Sequence, residues 1–124
     1  MLLDVHLADE AVVLMEAAYE VAPDDPETLR LLALARYSSG DVRGGMAISR
    51  RIIRLDPGCR ISMNNLALAA MQRGRFAVSW QWVRRGLKRH PGDEHLRRIR
   101  LRILFHATAG RFIKWLETCV SEKN

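Results

Sequence analysis

Basic side chains, most of them arginine, carry most of the binding chemistry that this sequence offers. The chain of 124 residues holds 20 Lys and Arg against 14 Asp and Glu, a net charge of +6 at pH 7. The two signs are segregated: residues 1–29 contain eight acids and no Lys or Arg, whereas residues 30–114 contain nineteen bases and four acids, a local excess of fifteen positive charges. A guanidinium group binds a carboxylate or a phosphate through two parallel hydrogen bonds. The pattern is typical either of bases that only solvate the outer faces of the fold, or of a partner that is an acidic protein segment, a nucleic acid or the opposite end of a second copy.

Groups that could perform catalysis are scattered along the sequence rather than clustered. His90 and His95 have H-x4-H spacing, but no Cys or pair of carboxylates accompanies them to complete a metal-binding set. Asp93 and Glu94 stand together at the predicted start of a helix, where acidic residues are common for capping alone. The sequence contains neither a P-loop nor a dinucleotide-binding glycine motif. We therefore expect no enzymatic activity, no metal site and no cofactor.

Composition predicts one folded domain spanning residues 1–124. Apolar residues make up 48% of the chain, which is enough for a packed core and argues against disorder. The N-terminal sequence lacks the basic residues of a secretory signal, and no apolar run is long enough to span a membrane. Cys59 and Cys119 have no C-x2-C partner, which is typical of unpaired thiols in a reducing compartment. We expect a cytoplasmic protein that does not enter a membrane.

The elements that must position the arginines follow a fixed period. Pro23, Pro57 and Pro91 are each 34 residues apart, and Gly40 and Gly74 keep the same interval midway between them. Between successive prolines the sequence shows two apolar-striped helices separated by the glycine. A glycine that ends one helix and a proline that ends the next, at constant spacing, predict an array of helix–turn–helix repeats.

The residues on these helices resemble the motif of the tetratricopeptide-repeat (TPR) family, W-x2-L-G-x2-Y, then A-x3-F, then P. In the central repeat the positions are filled by Met63, Leu66, Ala67 and Ala70, then Ser79, Val83 and Pro91. In the preceding repeat they are filled by Leu29, Leu32, Ala33 and Arg36, then Gly45, Ser49 and Pro57. The Trp and Tyr of the motif are absent, so the spacing carries the resemblance. The resemblance implies an all-α, TPR-like solenoid of helical hairpins.

The resemblance divides the chain into about seven helices and about three repeats. We expect a half repeat over residues 8–23, full repeats over 26–57 and 60–91, and an atypical closing repeat over 94–120, with a last break near Gly110. The half repeat is either a natural cap or the remnant of an array whose upstream repeats are missing. Gly44 and Gly45 are expected to let two helices approach closely.

The closing repeat departs from the strict period. Gly110-Arg111-Phe112 repeats Gly74-Arg75-Phe76, but at a spacing of 36 residues. For the helix over residues 94–107 two core rows compete, one containing Arg97 and Arg100, the other formed by Leu96, Ile99 and Ile103, and the sequence leaves the register open. A last helix from Arg111 is expected to bury one apolar face: Phe112, Trp115, Leu116, Cys119 and Val120.

The resemblance also implies where a ligand binds, because the first helix of each TPR-like pair lines a concave groove that holds an extended peptide. Carried onto this chain, the groove residues are Arg30, Leu34, Tyr37, Asn64, Leu68, Met71, His95, Arg98 and Arg102, with Phe105 as a further candidate. Arginine combined with apolar side chains suits an acidic or amphipathic segment of a partner protein. A loose version of the basic–Asn–basic set that holds a terminal carboxylate is also present: Arg30, Asn64 or Asn65, and Arg98 or Arg102.

Two other functions remain open at the level of sequence. The outer faces of the repeats carry a basic set that could bind phosphates without sequence preference: Arg50, Arg51, Arg54, Arg84, Arg85, Lys88 and Arg89. Few aromatic residues are available for base stacking, so the sequence favours protein over nucleic acid as the ligand. The acidic first helix and the basic later helices could also join copies head to tail into a homo-oligomer.

Overall fold

The computed structural model describes residues 5–122, and every regular element in that range is an α-helix. The six helices are α1 (Val5–Val21), α2 (Pro26–Ser38), α3 (Val42–Leu55), α4 (Arg60–Gln72), α5 (Phe76–Arg89) and α6 (Glu94–Glu122). The all-helical prediction is confirmed, and the helix breaks expected between residues 21 and 94 are all present. The prediction of seven helices is wrong, because the described chain forms six.

The two central hairpins, α2–α3 and α4–α5, have the same helix lengths and are offset by 34 residues. Each hairpin turns on a glycine with positive φ, 88° at Gly40 and 75° at Gly74, a conformation that costs most other residues strain. Asp25 caps α2 by accepting a hydrogen bond from the Thr28 amide, and Pro26 occupies the first turn of that helix. The glycine, proline and capping residues seen in the sequence therefore set the ends of these helices.

Helices pack in chain order. Each described helix contacts the next one, α4 also contacts α6, and no other pair within residues 5–122 packs together. The largest buried groups include Leu29 in α2, Leu66 in α4 and Leu96 in α6. The core therefore follows the stack as three clusters: one around Leu29 and Ile52, one around Leu66 and Ile53, and one around Val83 and Leu96.

Small residues allow the two helices of a hairpin to approach closely. Gly45 in α3 lies against the ring of Tyr37 in α2, and a Cβ at position 45 would be only 2.7 Å from that ring. The hydroxyl groups of Tyr37 and Ser49 are 2.9 Å apart and share a hydrogen bond. In the next hairpin the buried Ser79 hydroxyl donates to the carbonyl of Ala67 at 2.7 Å. The expectation that Gly44 and Gly45 let two helices approach closely is confirmed at Gly45.

Helix α6 differs from the sequence expectation in its length. It runs for 29 residues through Gly110, whose φ is not positive, so the predicted break there is wrong. The face that would receive a returning helix also differs between α4 and α6. On α4 that face is formed by Ala67 and Ala70, whereas 34 residues later the bulkier Leu101 and Leu104 occupy it. A glycine within a helix costs only about 1 kcal/mol, so the helix continues.

The continuation leaves the end of α6 unpacked. Phe112, Trp115, Leu116 and Val120 are exposed and Cys119 is only half-buried, so the prediction that this face is buried is wrong. The register of the first half is settled, because Leu96, Ile99 and Ile103 are buried while Arg97 is exposed. No described helix combines the length and the apolar character needed to cross a bilayer.

Candidate ligand-binding groove

Two adjoining concavities form a groove on the side of the molecule where α2, α4 and α6 lie. One, between α2 and α4, has a volume of about 630 Å³, and the other, between α4 and α6, about 680 Å³. Ile61, Asn65 and Leu68 of α4 line both, so the two concavities are continuous across that helix. The groove therefore runs across the first helix of each hairpin and onto α6.

Eight of the nine sequence-predicted residues line this groove. Those in the α2–α4 concavity are Arg30, Leu34, Tyr37 and Leu68, and those in the α4–α6 concavity are Asn64, Leu68, His95, Arg98 and Arg102. Met71 does not line it: this side chain is 8% exposed and packs in the core with Val83 and Leu96. Phe105, the further candidate, lines neither concavity and projects from α6 into solvent.

The structure adds groove residues that the sequence reasoning missed. Leu31, Ile61 and Gln72 line the α2–α4 concavity, while Arg60 and Asp93 line the α4–α6 concavity. A signal was available for α4, since Ile61, Asn65, Leu68 and Gln72 follow one another at intervals of four, three and four residues. That spacing places them on one helical face, next to the core face.

Apolar groups dominate the α2 end of the groove. Leu31, Leu34, Ile61 and Leu68 are all more than a third exposed, so their side chains are available to a ligand. Tyr37 is held against Gly45 and Ser49, and burial raises the pKa of its hydroxyl although the hydrogen bond that it shares with Ser49 opposes the shift. Arg30, the base at this end, forms an ion pair with Glu27 one turn earlier. This end is therefore suited to apolar side chains of a ligand.

A buried carboxylate organises the α6 end of the groove. Asp93 caps α6, with Oδ1 accepting a hydrogen bond from the Leu96 amide at 2.9 Å. Its Oδ2 accepts a hydrogen bond from the Asn64 side chain at 3.3 Å and lies 3.5 Å from Nε of Arg60. Burial alone would raise the pKa of Asp93, but the Leu96 amide, Asn64 and Arg60 hold it below its ordinary value. Asp93 is therefore a charged structural group that fixes Asn64 and Arg60 in place.

Exposed positive charge surrounds this carboxylate. His95, Arg98 and Arg102 are exposed on α6, and the nearest acid to Arg98 is Glu94 at 3.9 Å. Arg102 forms no ion pair with any residue in the range 5–122. Because exposed ion pairs contribute little, both guanidinium groups can exchange their present surroundings for a ligand carboxylate.

The basic–Asn–basic set lies along one face, distributed over α2, α4 and α6. Asn64 is engaged with Asp93, and its Oδ1 is buried with no hydrogen-bond partner among the described residues. Asn65 instead lines both concavities, which makes it the amide that a ligand in the groove can reach. The positive groups lie at opposite ends, since Arg30 is on α2 and Arg98 and Arg102 are on α6.

Two of the outer-face bases already make contacts within the fold. Arg51 donates to the Pro23 carbonyl and to Asp24 and stacks over Tyr19, so it ties α3 to α1 and the following turn. Arg85 lies over the Trp82 ring, with the guanidinium carbon 5.3 Å from the ring centroid. Exposed bases without such contacts remain on α3 and α5: Arg50, Arg54, Arg84, Lys88 and Arg89. Among the described residues, no cluster of His, Cys, Asp and Glu is arranged to hold a metal ion.

Comparison with protein families and with curated proteins identifies no relative of this chain. No protein-family model matches the chain, and no curated protein matches it.

Proposed function

We propose that the chain is a TPR-like repeat module that binds an extended acidic or amphipathic segment of another protein in the groove across α2, α4 and α6. The observation that carries this proposal is the row of exposed aliphatic side chains, Leu34, Ile61 and Leu68, on the groove floor beside Arg98 and Arg102. Apolar side chains contribute binding free energy by losing contact with water, and arginines fix the orientation of carboxylates.

The dimensions of the groove suit a short extended segment. Helix α4, about 10 Å in diameter with its side chains, lies between α2 and α6, so the surface from one outer helix axis to the other is on the order of 20 Å wide. An extended chain covers that width with about six residues. Alternate side chains of such a segment point to opposite sides, so a ligand with apolar residues at every second position places them on one face. We therefore propose an amphipathic ligand with its acidic residues near α6.

Neither catalysis nor a cofactor forms part of this proposal. The groove holds no nucleophile beside a base, and its buried carboxylate is committed to capping α6. We also propose a cytoplasmic location, since Cys59 and Cys119 are both free thiols and neither has a disulfide partner in the described chain.

The test is fluorescence anisotropy with a labelled peptide of about eight residues in which Glu and Leu alternate, long enough to cross the groove. A peptide of alternating Lys and Leu serves as the charge-reversed probe. We expect binding of the acidic peptide only. Arg98→Ala and Arg102→Ala should each weaken it about tenfold, because a hydrogen bond to a charged group is worth about 1.5–3 kcal/mol. Leu68→Glu should abolish binding by placing an acid in the middle of the groove.

Matched controls lie outside the groove. Leu55→Glu changes another exposed leucine in the same way, and Arg50→Ala and Arg84→Ala remove exposed outer arginines. All three should leave peptide binding within about twofold, the range expected of a surface change of at most 0.5 kcal/mol. Loss of binding in the controls with retention in Leu68→Glu would contradict the groove proposal.

Nucleic acid is the second candidate, favoured by the exposed bases on α3 and α5. A random oligonucleotide titrated at two salt concentrations separates the two ligands. If phosphates are bound, Arg50→Ala and Arg84→Ala should weaken affinity to a similar extent, each lowering the salt slope by about one. Leu68→Glu should then have little effect.

A further inference from the structure

Helix α6 exposes an apolar face that is covered on its counterpart in the preceding hairpin. Leu101, Leu104 and Phe105 follow Ala67, Ala70 and Met71 of α4 by 34 positions. The three α4 residues are between 0% and 8% exposed, largely because α5 packs against that helix. The three α6 residues are 63%, 46% and 71% exposed. We call Leu101, Leu104 and Phe105 the open face of α6.

Helix α1 also exposes apolar residues, on the side where α3 and α5 pack against the helix that precedes each of them. Leu14 precedes Ile48 of α3 by 34 positions, and Ile48 is half-buried against Leu29 and Ala33 of the helix before it. Trp82 holds the same position in α5 and packs against α4. Leu14 itself is 68% exposed. Two further positions are also less buried than their counterparts. Ala11 and Met15 are half-buried, whereas the residues 34 and 68 positions later, on α3 and α5, are buried. We call Ala11, Leu14 and Met15 the open face of α1.

The two open faces lie on segments of opposite charge. Helix α1 carries Asp9, Glu10, Glu16 and Glu20 and no Lys or Arg; Glu10 precedes Leu14 by one turn, whereas Glu16 is already paired with Arg36 of α2. The section of α6 around its open face carries Arg97, Arg98, Arg100 and Arg102 and no acid between them. One open face therefore lies on α1, at positions that the preceding helix covers on α3 and α5, and the other lies on α6, at positions that the following helix covers on α4; the two segments carry opposite net charge.

We propose that α1 of a second copy docks on the open face of α6, in the place that α5 takes on α4. The contact joins different surfaces of the two molecules, so it is heterologous and extends into a chain of copies rather than closing into a dimer. The apolar row of α6 continues beyond the open face to Phe112 and Trp115, both exposed, and lengthens the surface available to the incoming helix. The open face of α6 lies outside both concavities of the groove, but Arg98 and Arg102 border both surfaces, so the assembly is tested with variants at residues that do not line the groove.

Sedimentation velocity on the full chain tests the assembly. We expect a weight-average mass that rises with protein concentration at low salt. Association should weaken about tenfold or more at high salt, since attraction between exposed charges is screened over about 10 Å at 0.1 M. A strict monomer at low salt and high concentration would overturn the proposal. Such a monomer is the result expected if residues 112–120 fold back over the open face of their own α6.

Two variants distinguish this contact from any other. Leu14→Glu blocks the open face of α1, and Phe105→Glu blocks the open face of α6; since both side chains are exposed, neither change should alter the far-ultraviolet circular dichroism. Each variant alone should be monomeric. An equimolar mixture should form a 1:1 dimer and nothing larger, because one intact α1 and one intact α6 then remain to meet. A mixture that stays monomeric, or a single variant that still forms chains, would refute docking between unlike faces.

Each variant has a matched control on its own helix. Val13 is 68% exposed, the same as Leu14, but lies at the position of the exposed Ala47 and Gln81 in α3 and α5. Val13→Glu adds the same charge as Leu14→Glu and should leave assembly intact. Ala107→Glu is the corresponding control on α6, exposed but away from the open face. Controls that disrupt assembly as strongly as the blocking variants would also overturn the proposal.

Discussion

At the scale of single residues, Asp93 links the fold to the groove. Its carboxylate caps α6 through the Leu96 amide and holds Asn64 and Arg60 of α4, so one side chain fixes the relation between two groove helices. A buried carboxylate is stable in its charged form only when such partners compensate for lost hydration. The same residue that shapes the α6 end of the groove is therefore important for stability.

Replacing Asp93 should test this role. Asp93→Ala removes the cap and leaves Asn64 unpaired, and should lower the free energy of unfolding by about 1–2 kcal/mol. Asp93→Asn should lose less, because Asn is also a good capping residue. Chemical denaturation measures both, with Asp9→Ala on the exposed side of α1 as the control. Equal stability of Asp93→Ala and the wild type would show that the cap is dispensable.

The pKa of Asp93 also predicts how stability depends on pH. In the folded protein this pKa lies below the ordinary value of 3.8, although burial opposes the effect. The unfolded chain therefore binds the proton more readily, so the contribution is present above about pH 4 and is lost as pH falls through the folded pKa. The caps Asp25 and Asp41 have lowered pKa values too, mainly through the amides of Thr28 and Gly44, and act in the same direction. Denaturation midpoints between pH 2 and 7 should show a loss on the acid side that is shallower in Asp93→Asn.

At the scale of the element, α6 shows what ends a helix in this chain. Gly40 and Gly74 end helices on which the next helix packs back: Gly45 of α3 lies against Tyr37, and Ser79 of α5 donates to the Ala67 carbonyl. Gly110 has a similar local sequence, yet the helix passes through it. The glycine permits a turn at all three positions, and tertiary packing decides whether the turn forms.

Substitution by alanine should therefore have opposite effects at two related glycines. Gly110→Ala should stabilise α6 by about 0.5–1 kcal/mol, since alanine favours a helix and open space surrounds the new Cβ. Gly74→Ala should be destabilising, because position 74 has a φ of 75° that alanine adopts only with strain. Thermal unfolding followed by circular dichroism measures both. Destabilisation by Gly110→Ala would mean that the helix breaks at this glycine.

The helices that follow the 34-residue period were predicted correctly from the sequence. The prediction was wrong in α6, where tertiary packing departs from that period. The helix ends from α2 to α5 follow from prolines, glycines and capping residues that act locally. The course of α6 could not be read from local signals, because the Gly-Arg-Phe sequence that leads into α5 stands inside α6. Tertiary packing also explains why the prediction of Met71 in the groove was wrong. Met71 follows Leu68 by one helical turn, and its packing against Val83 buries it in the core. Ile61 and Gln72 belong to the groove face by their spacing from Asn65 and Leu68, so the sequence contained the signal that predicts them.

At the scale of the whole molecule, the order of contacts sets the distribution of stability. Because helices pack only on their neighbours, apart from α4 on α6, stability should be greatest where neighbours are most numerous. Helix α4 packs against α3, α5 and α6, whereas the end of α6 packs against no other helix among the described residues. The helix that forms the middle of the groove is thus the most firmly held.

Native-state hydrogen exchange tests both this distribution and the proposed function. Without ligand, amides of α4 should exchange slowest, and those from Gly110 to the end of α6 should exchange fastest among the helices. Addition of the alternating Glu and Leu peptide should slow exchange in α2, α4 and the first half of α6, which line the groove, while α3 and α5 change little. A random oligonucleotide bound to the outer bases should instead slow exchange in α3 and α5. Protection of α3 and α5 by the peptide would place its site on the outer face, whatever the affinity, and would exclude the groove as the binding surface.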